Sequence, residues 1–404
     1  MTPRRRVALL ATIVGALALN SVRSDAHKPI TSPYTYNEDI FPILRDRCGR
    51  CHVAGGVAPM SLMTHADTVP WGESIRTELL AGQMPPWSVD TAASRYRNVH
   101  QLSAREMNLL LTWVTGGTPI GSQDKDPAPM TIDTLWRLGP PDVTLPFPRE
   151  FTIGGDVREQ LAEFIIPTGG SERRWIRAVD LKPGNPAIVR AATIAVRVPA
   201  SAATSDSLRV ERVLGLWLPG DDPVALDEGM AFELPASAEL LVRVLYRKTW
   251  EYERKELSDR STVGLYFESG QANAVRSVSL PRSGVALDGR SDRTAFSGTL
   301  EQDVRALAIY ADVGVANTRV KAIAVRPDGS QSELIAFHPR PDWTRRYWFR
   351  EPLVLTRGTR LEFAASIDDE TPMLPLSVAP TTTSTPDLSL LRLTLNVIPS
   401  ASAK

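Results

Sequence analysis

The clearest chemical pattern in this 404-residue chain is formed by its only two cysteines, Cys48 and Cys51, and the histidine that follows them, His52. The order C-x-x-C-H is the attachment signature of a c-type haem. In such a site the two thiols add to the haem vinyl groups, and the histidine gives its neutral imidazole to the iron as proximal ligand. The motif therefore predicts one covalently bound haem c, held by the thioethers of Cys48 and Cys51 and by His52.

Two other chemistries use the same cysteine spacing. A C-x-x-C pair can be a disulfide or redox pair, or it can be half of a zinc site. A thiolate zinc site needs further cysteine or histidine ligands, and the chain has no third cysteine and only five histidines in all. A thiol-disulfide enzyme is expected to carry a thioredoxin-like βαβ pattern around its cysteines, and no such pattern surrounds these two. Haem is therefore the favoured interpretation.

A sixth ligand to the haem iron must come from the surrounding segment. The candidates are Met60, Met63, Met84, Met107, His65 and His100. Met107 falls on the apolar face of a predicted helix, which is typical of a core methionine. Met84 follows a predicted helix end and precedes two prolines, which stiffen the loop and can hold a thioether toward iron. This pattern favours Met84, with His65, His100 or an open sixth position as alternatives.

Three helical patterns position these residues. The helices are predicted to begin near Asp39, Val69 and Ser103. The first start is placed at Asp39 because Pro42 is tolerated only in a first helical turn. Gly82 is a predicted stop for the second helix. The third opens with a capping box, in which the serine is followed by a glutamate three positions later.

Composition and the N-terminus indicate an exported protein. The 46 basic and 46 acidic residues balance, so there is no basic excess to favour nucleic acid. Three arginines at positions 4–6 precede an apolar run at 7–19 and a small-residue site at 24–26, which predicts a signal peptide over residues 1–26. The run is short for a bilayer span, although an uncleaved anchor is the alternative. We expect a bacterial periplasmic or otherwise exported location, without a transmembrane segment after signal cleavage.

The pattern changes after residue 120. Seven prolines lie between positions 119 and 148, and they predict an extended linker over 121–148. Alternating apolar and polar residues then predict strands. The predicted strands are 175–181, 187–198, 240–247, 262–267, 304–315, 319–325, 359–366 and 391–397. In the last of these, Arg392, Thr394 and Asn396 are expected to form a solvent-facing side. Residues 326–329 predict a turn.

Many short strands separated by Gly, Pro, Asp and Ser indicate antiparallel sandwiches. The length after the linker is enough for two, over 149–288 and 289–400. The predicted architecture is therefore multidomain, with a small all-α domain over 34–120 followed by two all-β antiparallel sandwiches.

The helical segment resembles a known family. The stretch YTYNEDIFPILRDRCGRCHVAGGVAPMSL, followed by MPPW, is similar to the cytochrome c domain at the front of certain bacterial exported proteins. In those proteins the C-terminal part resembles copper type II, ascorbate-dependent monooxygenases. The resemblance implies that Cys48 and Cys51 are thioether sites, that His52 is the proximal ligand and that Met84 is the distal ligand.

A weaker resemblance continues through the β segment. FIIPTGGSERRWIRAVDLKPGNPAIVR resembles the start of the first of two sandwiches of the peptidylglycine hydroxylating monooxygenase type, which are jelly-roll-like, and VRPDG resembles part of the second. The copper histidines of that family would fall at Arg190 and Ala191, at Leu245 in a pair that is His-Tyr in the family and Leu245-Tyr246 here, and within 309–314, where this chain has no histidine. Because type II copper is held chiefly by imidazole nitrogens, copper is not expected.

These observations predict an exported c-type cytochrome that exchanges single electrons with redox partner proteins and is not itself an enzyme. Its β segment would be a copper-free module for docking or scaffolding. The alternative is a haem-fed copper monooxygenase-type oxidoreductase.

Overall fold

The computed structural model describes residues 31–86, 89–90, 93–97, 99–128, 130–197, 212–280, 293–312, 318–340, 343–367 and 392–400. The predicted signal peptide and Trp87 of the MPPW stretch lie outside these residues. The described part consists of a small helical region followed by several sheets, nearly all of them antiparallel. No helix within it has the length and apolar character that a membrane crossing needs.

The helical region contains the predicted helices in shortened and divided form. Its elements are a π-helical turn Tyr36–Ile40, α1 (Phe41–Ile43), a second π-helical turn Leu44–Cys48, α2 (His65–Thr68), a 3-10 turn Val69–Trp71, α3 (Gly72–Leu80) and α4 (Ala104–Thr115). Further 3-10 turns are Ala93–Arg95, Gln123–Lys125 and Trp250–Tyr252. One buried apolar cluster, which includes Tyr36, Leu110 and Trp113, holds the helices together.

The capping signals in the sequence predict the helix ends at Ser103 and Gly82 correctly, but the predicted start of the first helix differs from the structure. The predicted capping box is confirmed: Ser103 Oγ accepts from the amide of Glu106, and the Glu106 carboxylate accepts from the amide of Ser103. Gly82 follows α3 with a φ of +64°. The predicted start near Asp39 is wrong, because helical structure begins at Tyr36. A π-helical turn, in which the Phe41 amide donates to the Tyr36 carbonyl, precedes Pro42.

Nineteen strands are described in the remainder of the chain. They are β1 (Val143–Pro146), β2 (Phe151–Ile153), β3 (Glu159–Pro167), β4 (Arg174–Lys182), β5 (Val189–Arg197), β6 (Arg212–Trp217), β7 (Met230–Leu234), β8 (Glu239–Arg247), β9 (Leu257–Asp259), β10 (Thr262–Phe267), β11 (Asn273–Ala274), β12 (Arg276–Leu280), β13 (Arg293–Thr299), β14 (Val304–Asp312), β15 (Thr318–Val325), β16 (Gln331–Phe337), β17 (Tyr347–Leu355), β18 (Arg360–Ile367) and β19 (Arg392–Pro399). Each of the eight predicted strands coincides with one of them. The predicted turn at 326–329 joins β15 to β16.

The strands divide into two regions with separate cores. β region one contains a five-stranded sheet in the order β1-β10-β4-β7-β11, a four-stranded sheet β3-β8-β5-β6 and the pair β2-β9. β region two contains the sheets β12-β19-β14-β17 and β13-β18-β15-β16. Only β7 and β11 pair in parallel among the described strands. Each region encloses its own large cluster of buried apolar side chains.

Two strands lie across the predicted domain limits. β1 falls inside the predicted linker and pairs with β10 at the edge of the five-stranded sheet. β12 falls inside the predicted first sandwich, yet it pairs with β19 in region two. The change from one core to the other therefore lies near Val275, between β11 and β12.

The predicted solvent-facing side of β19 is confirmed at Arg392, which is exposed, and wrong at the other two positions. Thr394 and Asn396 are buried, at 1% and 0% exposure. They share a strand face with Ile398, which belongs to the core cluster of region one. β19 lies in the middle of its sheet, and the outer side of that sheet packs against region one. The Asn396 amide nitrogen donates to Ser277 Oγ at 3.2 Å, and the Thr394 hydroxyl lies 3.0 Å from the Ser279 hydroxyl, whereas Asn396 Oδ1 has no partner among the described residues.

A stretch between α3 and α4 leaves the helical region and joins region two. We call it the Tyr96 segment, residues 89–90 and 93–97. Its backbone bridges to Phe349, and the Tyr96 hydroxyl donates to the carbonyl oxygen of Leu334 at 2.7 Å. Tyr96 is only 1% exposed and stacks on Phe349. The helical region is therefore attached to region two by buried contacts as well as by the chain.

Candidate functional site

The haem-type motif lies at the end of the second π-helical turn. The amides of Cys51 and His52 both donate to the carbonyl of Cys48, at 3.0 and 2.8 Å. His52 Nδ1 lies 3.2 Å from the carbonyl oxygen of Met60. A carbonyl can only accept, so Nδ1 carries the proton, and Nε2 keeps its lone pair for a ligand. Burial lowers the pKa of His52 to about 4, which keeps the imidazole neutral.

Both cysteines are free thiols that are partly buried. Cys48 packs against the core of the helical region, and Cys51 donates to the carbonyl oxygen of Pro219 at 3.4 Å. Burial raises the pKa of Cys48 to about 12 and that of Cys51 to about 11. A thiol-disulfide enzyme needs the opposite, a thiol of lowered pKa. Within the described residues no three Cys, His, Asp or Glu side chains form a group that could hold a metal ion by themselves.

The loop that carries Met84 is fixed from two sides. The amide of Met84 donates to the carbonyl of Glu78 in α3 at 3.3 Å. Immediately before it, the carbonyl of Gln83 accepts from Arg340 of region two, also at 3.3 Å. Met84 is half-buried. The predicted stiffness of this loop therefore has a tertiary origin in addition to its two prolines.

The two alternative histidine ligands have their Nε2 atoms engaged elsewhere. His65 Nε2 lies 2.8 Å from the carbonyl oxygen of Thr118, and the ring packs beside Tyr36. His100 Nε2 lies 2.9 Å from the carboxylate of Asp222. The Nε2 atom of each ring thus has a hydrogen-bond partner within the protein. Met107 packs against the core of the helical region, as its helix face predicts.

A loop of β region one covers the motif. We call Leu218–Pro219–Gly220–Asp221–Asp222 the clamp loop. Gly220 has a φ of +75°, and a Cβ atom there would lie 2.9 Å from Cys51's neighbour Arg50 and 3.1 Å from Cys51 Sγ. Only glycine permits both this backbone conformation and this approach. The sequence shows a turn signal at these positions, but nothing in it indicates that the turn meets the cysteines.

Asp222 joins the clamp loop to three other segments. Its carboxylate accepts from Arg50 at 2.6 Å, from His100 at 2.9 Å and from Arg137 of the predicted linker at 3.1 Å. Burial alone would raise the pKa of Asp222, but the hydrogen bonds from His100 and Arg50 hold it below its usual range. Beside it, Asp221 pairs with Arg345 of region two at 2.7 Å. Helical region, linker and both β regions therefore meet at these two carboxylates.

The positions at which the resemblance places copper histidines are neighbours in region one. Ala191 on β5 pairs directly with Leu245 on β8. Arg190 extends to region two, where its guanidinium lies 4.5 Å from the ring centre of Trp343. Tyr246 donates to the carboxylate of Asp259 at 2.9 Å.

The third position, on β14, is closed by packing. Ile309 is fully buried in the core of region two, and residues 313–314 lie outside the described part. His338, the one histidine beyond position 100, is 45% exposed and lies 3.7 Å from Asp90.

Comparison with known proteins gives no relative. No family model matches the chain, and no curated protein does. Among solved structures, PNGF-II aligns with a TM-score of 0.27 and 9% identity over 63% of this chain and 65% of that one. A putative alpha-L-fucosidase from Bacteroides ovatus aligns at 0.19 and 10% over 74% of this chain, which spans only 43% of the fucosidase. An allantoicase aligns at 0.17 and 12% over 51% and 75%. Similarities this low support no inference about function.

Proposed function

We propose that this chain is an exported bacterial c-type cytochrome that transfers single electrons to or from partner proteins through one covalently attached haem. The observation that carries the proposal is the arrangement of His52 within C-x-x-C-H. Nδ1 donates its proton to the carbonyl of Met60, so Nε2 keeps its lone pair and would be the atom that binds the haem iron. Metal-binding histidines ordinarily donate a hydrogen bond of this kind from the ring nitrogen that does not bind the metal, and the bond fixes the tautomer.

The donor set fits haem c. Cys48 and Cys51 would form the thioethers, His52 would be the proximal ligand, and Met84 would be the distal ligand. The haem supplies one-electron exchange, and His/Met ligation favours a higher reduction potential than bis-histidine ligation. The chain's own contribution is to orient the imidazole through Met60 and to shield the Cys51 side with the clamp loop.

For the β segment, we propose two jelly-roll-like antiparallel sandwiches that serve as a copper-free scaffold. Two facing sheets around one core in each region support this architecture. The adjacency of Ala191 and Leu245 supports the resemblance to a monooxygenase-type sandwich, because two ligand positions of one copper site must be neighbours. In this proposal the scaffold also docks the helical region of its own chain, through Asp221 and Asp222.

The competing function is a haem-fed copper monooxygenase. It needs imidazole ligands that converge from neighbouring strands. The corresponding positions carry an aliphatic side chain at Ala191, another at Leu245 and a cation at Arg190 that is stacked on Trp343. The electron-transfer function requires no such ligands and is the one we propose.

The proposal is tested by isolating the full chain from a host that exports it and attaches haem. Acid–acetone extraction is expected to leave the colour on the polypeptide, because thioether bonds survive it. The Cys48→Ala Cys51→Ala double variant is expected to retain no covalent haem. Glu73→Gln, a change at an exposed side chain of α3, is the matched control and should behave as the parent chain. Haem that extracts from the parent chain, or that stays covalently bound to the double variant, would contradict the proposal.

A further inference from the structure

A cavity of about 450 Å³ lies beside the haem-type motif. Its walls come from the motif (Gly49, Val57), the predicted linker (Ile132, Trp136), the five-stranded sheet (Asp180) and the clamp loop (Pro219). This volume is within the range of small-molecule sites in proteins. Cys48, Cys51 and His52 are not among its lining residues, although Gly49, Arg50 and Val53 beside them are.

The floor of the cavity is the outer side of the five-stranded sheet. Asp180 on β4 pairs with Gly264 on β10, so positions 180 and 264 share this side. A Cβ atom at Gly264 would lie 3.0 Å from the ring of Trp136. The linker therefore lies directly on the sheet here, and Asp180 is beneath it at 7% exposure.

Asp180 is an unusual floor residue because it is a buried carboxyl without an ion-pair partner among the described residues. One of its oxygens accepts from the amide of Leu181 at 2.8 Å. The charged and titratable groups that face it are Arg137 from the linker, Asp221 and Asp222 from the clamp loop, and Tyr266 from β10. Burial is the largest effect and raises the pKa of Asp180 to about 6, and Arg137 opposes it.

We propose that this cavity binds a small phenol-type molecule whose ring packs among the apolar walls and whose hydroxyl donates a hydrogen bond to Asp180. The walls supply the indole of Trp136 and the aliphatic groups of Val57, Ile132 and Leu218, and they also carry the cations Arg45, Arg47, Arg50, Arg137 and Lys182. At Asp180 itself a neutral hydroxyl donor is favoured over a carboxylate, because two carboxylates would repel each other. The site goes beyond the electron-transfer function and does not depend on it.

The test is isothermal titration of the full chain with phenol and with anisole, in which the hydroxyl is methylated and cannot donate. Phenol is expected to bind once per chain, and anisole about tenfold more weakly or worse, because a hydrogen bond to a charged group is lost. Asp180→Leu should lower phenol affinity by a similar factor. Asp180→Asn keeps an acceptor oxygen, so it should lose less affinity.

The pH dependence gives a second readout. The carboxylate is the better acceptor, so phenol affinity is expected to fall as the pH is lowered through about 6, and Asp180→Asn should abolish this dependence. Glu73→Gln, at an exposed carboxylate of α3 outside the cavity, is the control and should bind as the parent chain. Circular dichroism checks that each variant is folded. No phenol binding, equal binding of phenol and anisole, or undiminished affinity in Asp180→Leu would overturn the proposal. Repeating the titration on the Cys48→Ala Cys51→Ala chain should give the same affinity, which separates this site from the fate of the haem proposal.

Discussion

The Asp222→Asn substitution tests whether the clamp loop holds the helical region to region one. In the parent chain one carboxylate accepts from Arg50, His100 and Arg137. Asparagine has nearly the same shape, but it is neutral and offers one acceptor oxygen in place of two. The substitution therefore weakens all three contacts at once while it leaves the apolar cores unchanged.

The expected cost follows from the exposure of these groups. The three donor side chains and Asp222 are between 24% and 30% exposed. Fully exposed ion pairs contribute about 0–1 kcal/mol, and buried hydrogen bonds to charged groups contribute about 1.5–3 kcal/mol. We take about 1 kcal/mol for each contact and let the remaining asparagine oxygen retain a third of the total. The loss is then about 2 kcal/mol, which corresponds to a roughly 30-fold larger open fraction.

Amide hydrogen exchange measures this opening directly. Peptides that contain Cys51 and Asp221 are expected to exchange roughly 30-fold faster in Asp222→Asn, because opening of the loop breaks the contact of Cys51 with Pro219 and exposes both segments. Peptides from β19 in the centre of its sheet should be unchanged. Mass spectrometry of the exchanged, digested chain gives both rates in one experiment.

Asp227→Asn is the matched control, since Asp227 also pairs with an arginine before α4. Within the described part of the chain its one ion pair is with Arg97, and Asp227 is 52% exposed, so the expected effect is below about 1 kcal/mol, or less than about fivefold. If Asp222→Asn accelerates exchange no more than Asp227→Asn does, or accelerates it equally in β19, the clamp-loop argument is refuted.

Three further outcomes are expected. Met84→Ala should lose the near-infrared sulfur-to-iron band and lower the reduction potential, whereas Met60→Ala should do neither, because Met60 acts through its backbone carbonyl; an unchanged band in Met84→Ala would assign the distal ligand elsewhere. The raised pKa of Asp180 means that the folded state favours the protonated form, so its contribution to stability is present below about pH 4 and is lost as the pH rises through about 6. That loss amounts to about 3 kcal/mol, and denaturant unfolding between these pH values should show it in the parent chain and not in Asp180→Asn. Metal analysis should find no stoichiometric copper, and an ascorbate/oxygen assay should find no hydroxylation; one or two tightly bound copper ions per chain would restore the monooxygenase interpretation.

The features that the sequence predicts well are those written within a few neighbouring residues. The capping box at Ser103 is one, because its two hydrogen bonds join positions three apart. The strands are another, because alternation is a local pattern and β10 was predicted to the residue. The C-x-x-C-H motif likewise needs no partner from elsewhere in the chain to be noticed.

The features that the sequence does not predict depend on which distant segment packs against a given surface in the folded chain. Thr394 and Asn396 are polar, so the alternation predicts a solvent-facing side of the strand, yet region one covers that side. The Thr394 hydroxyl and the Asn396 amide nitrogen find partners on β12, whereas Asn396 Oδ1 has none among the described residues. The clamp loop meets the motif across about 170 positions, and no periodicity reports such a contact. Asp180 reads as an ordinary polar strand residue until the linker is seen to lie over it.

The Tyr96 segment makes the front of the chain dependent on its far end. The Tyr96 hydroxyl bonds to a carbonyl 238 positions later, so this contact cannot form until region two has been synthesised and folded. Contacts between residues so far apart in sequence form slowly during folding. Val89 and Tyr96 stay exposed to solvent until these contacts form. A chain cut after residue 120 would keep the whole motif and still expose these buried side chains. Shuffling the helical region onto another protein would therefore require either a sheet edge that accepts the Tyr96 segment or a new sequence in its place.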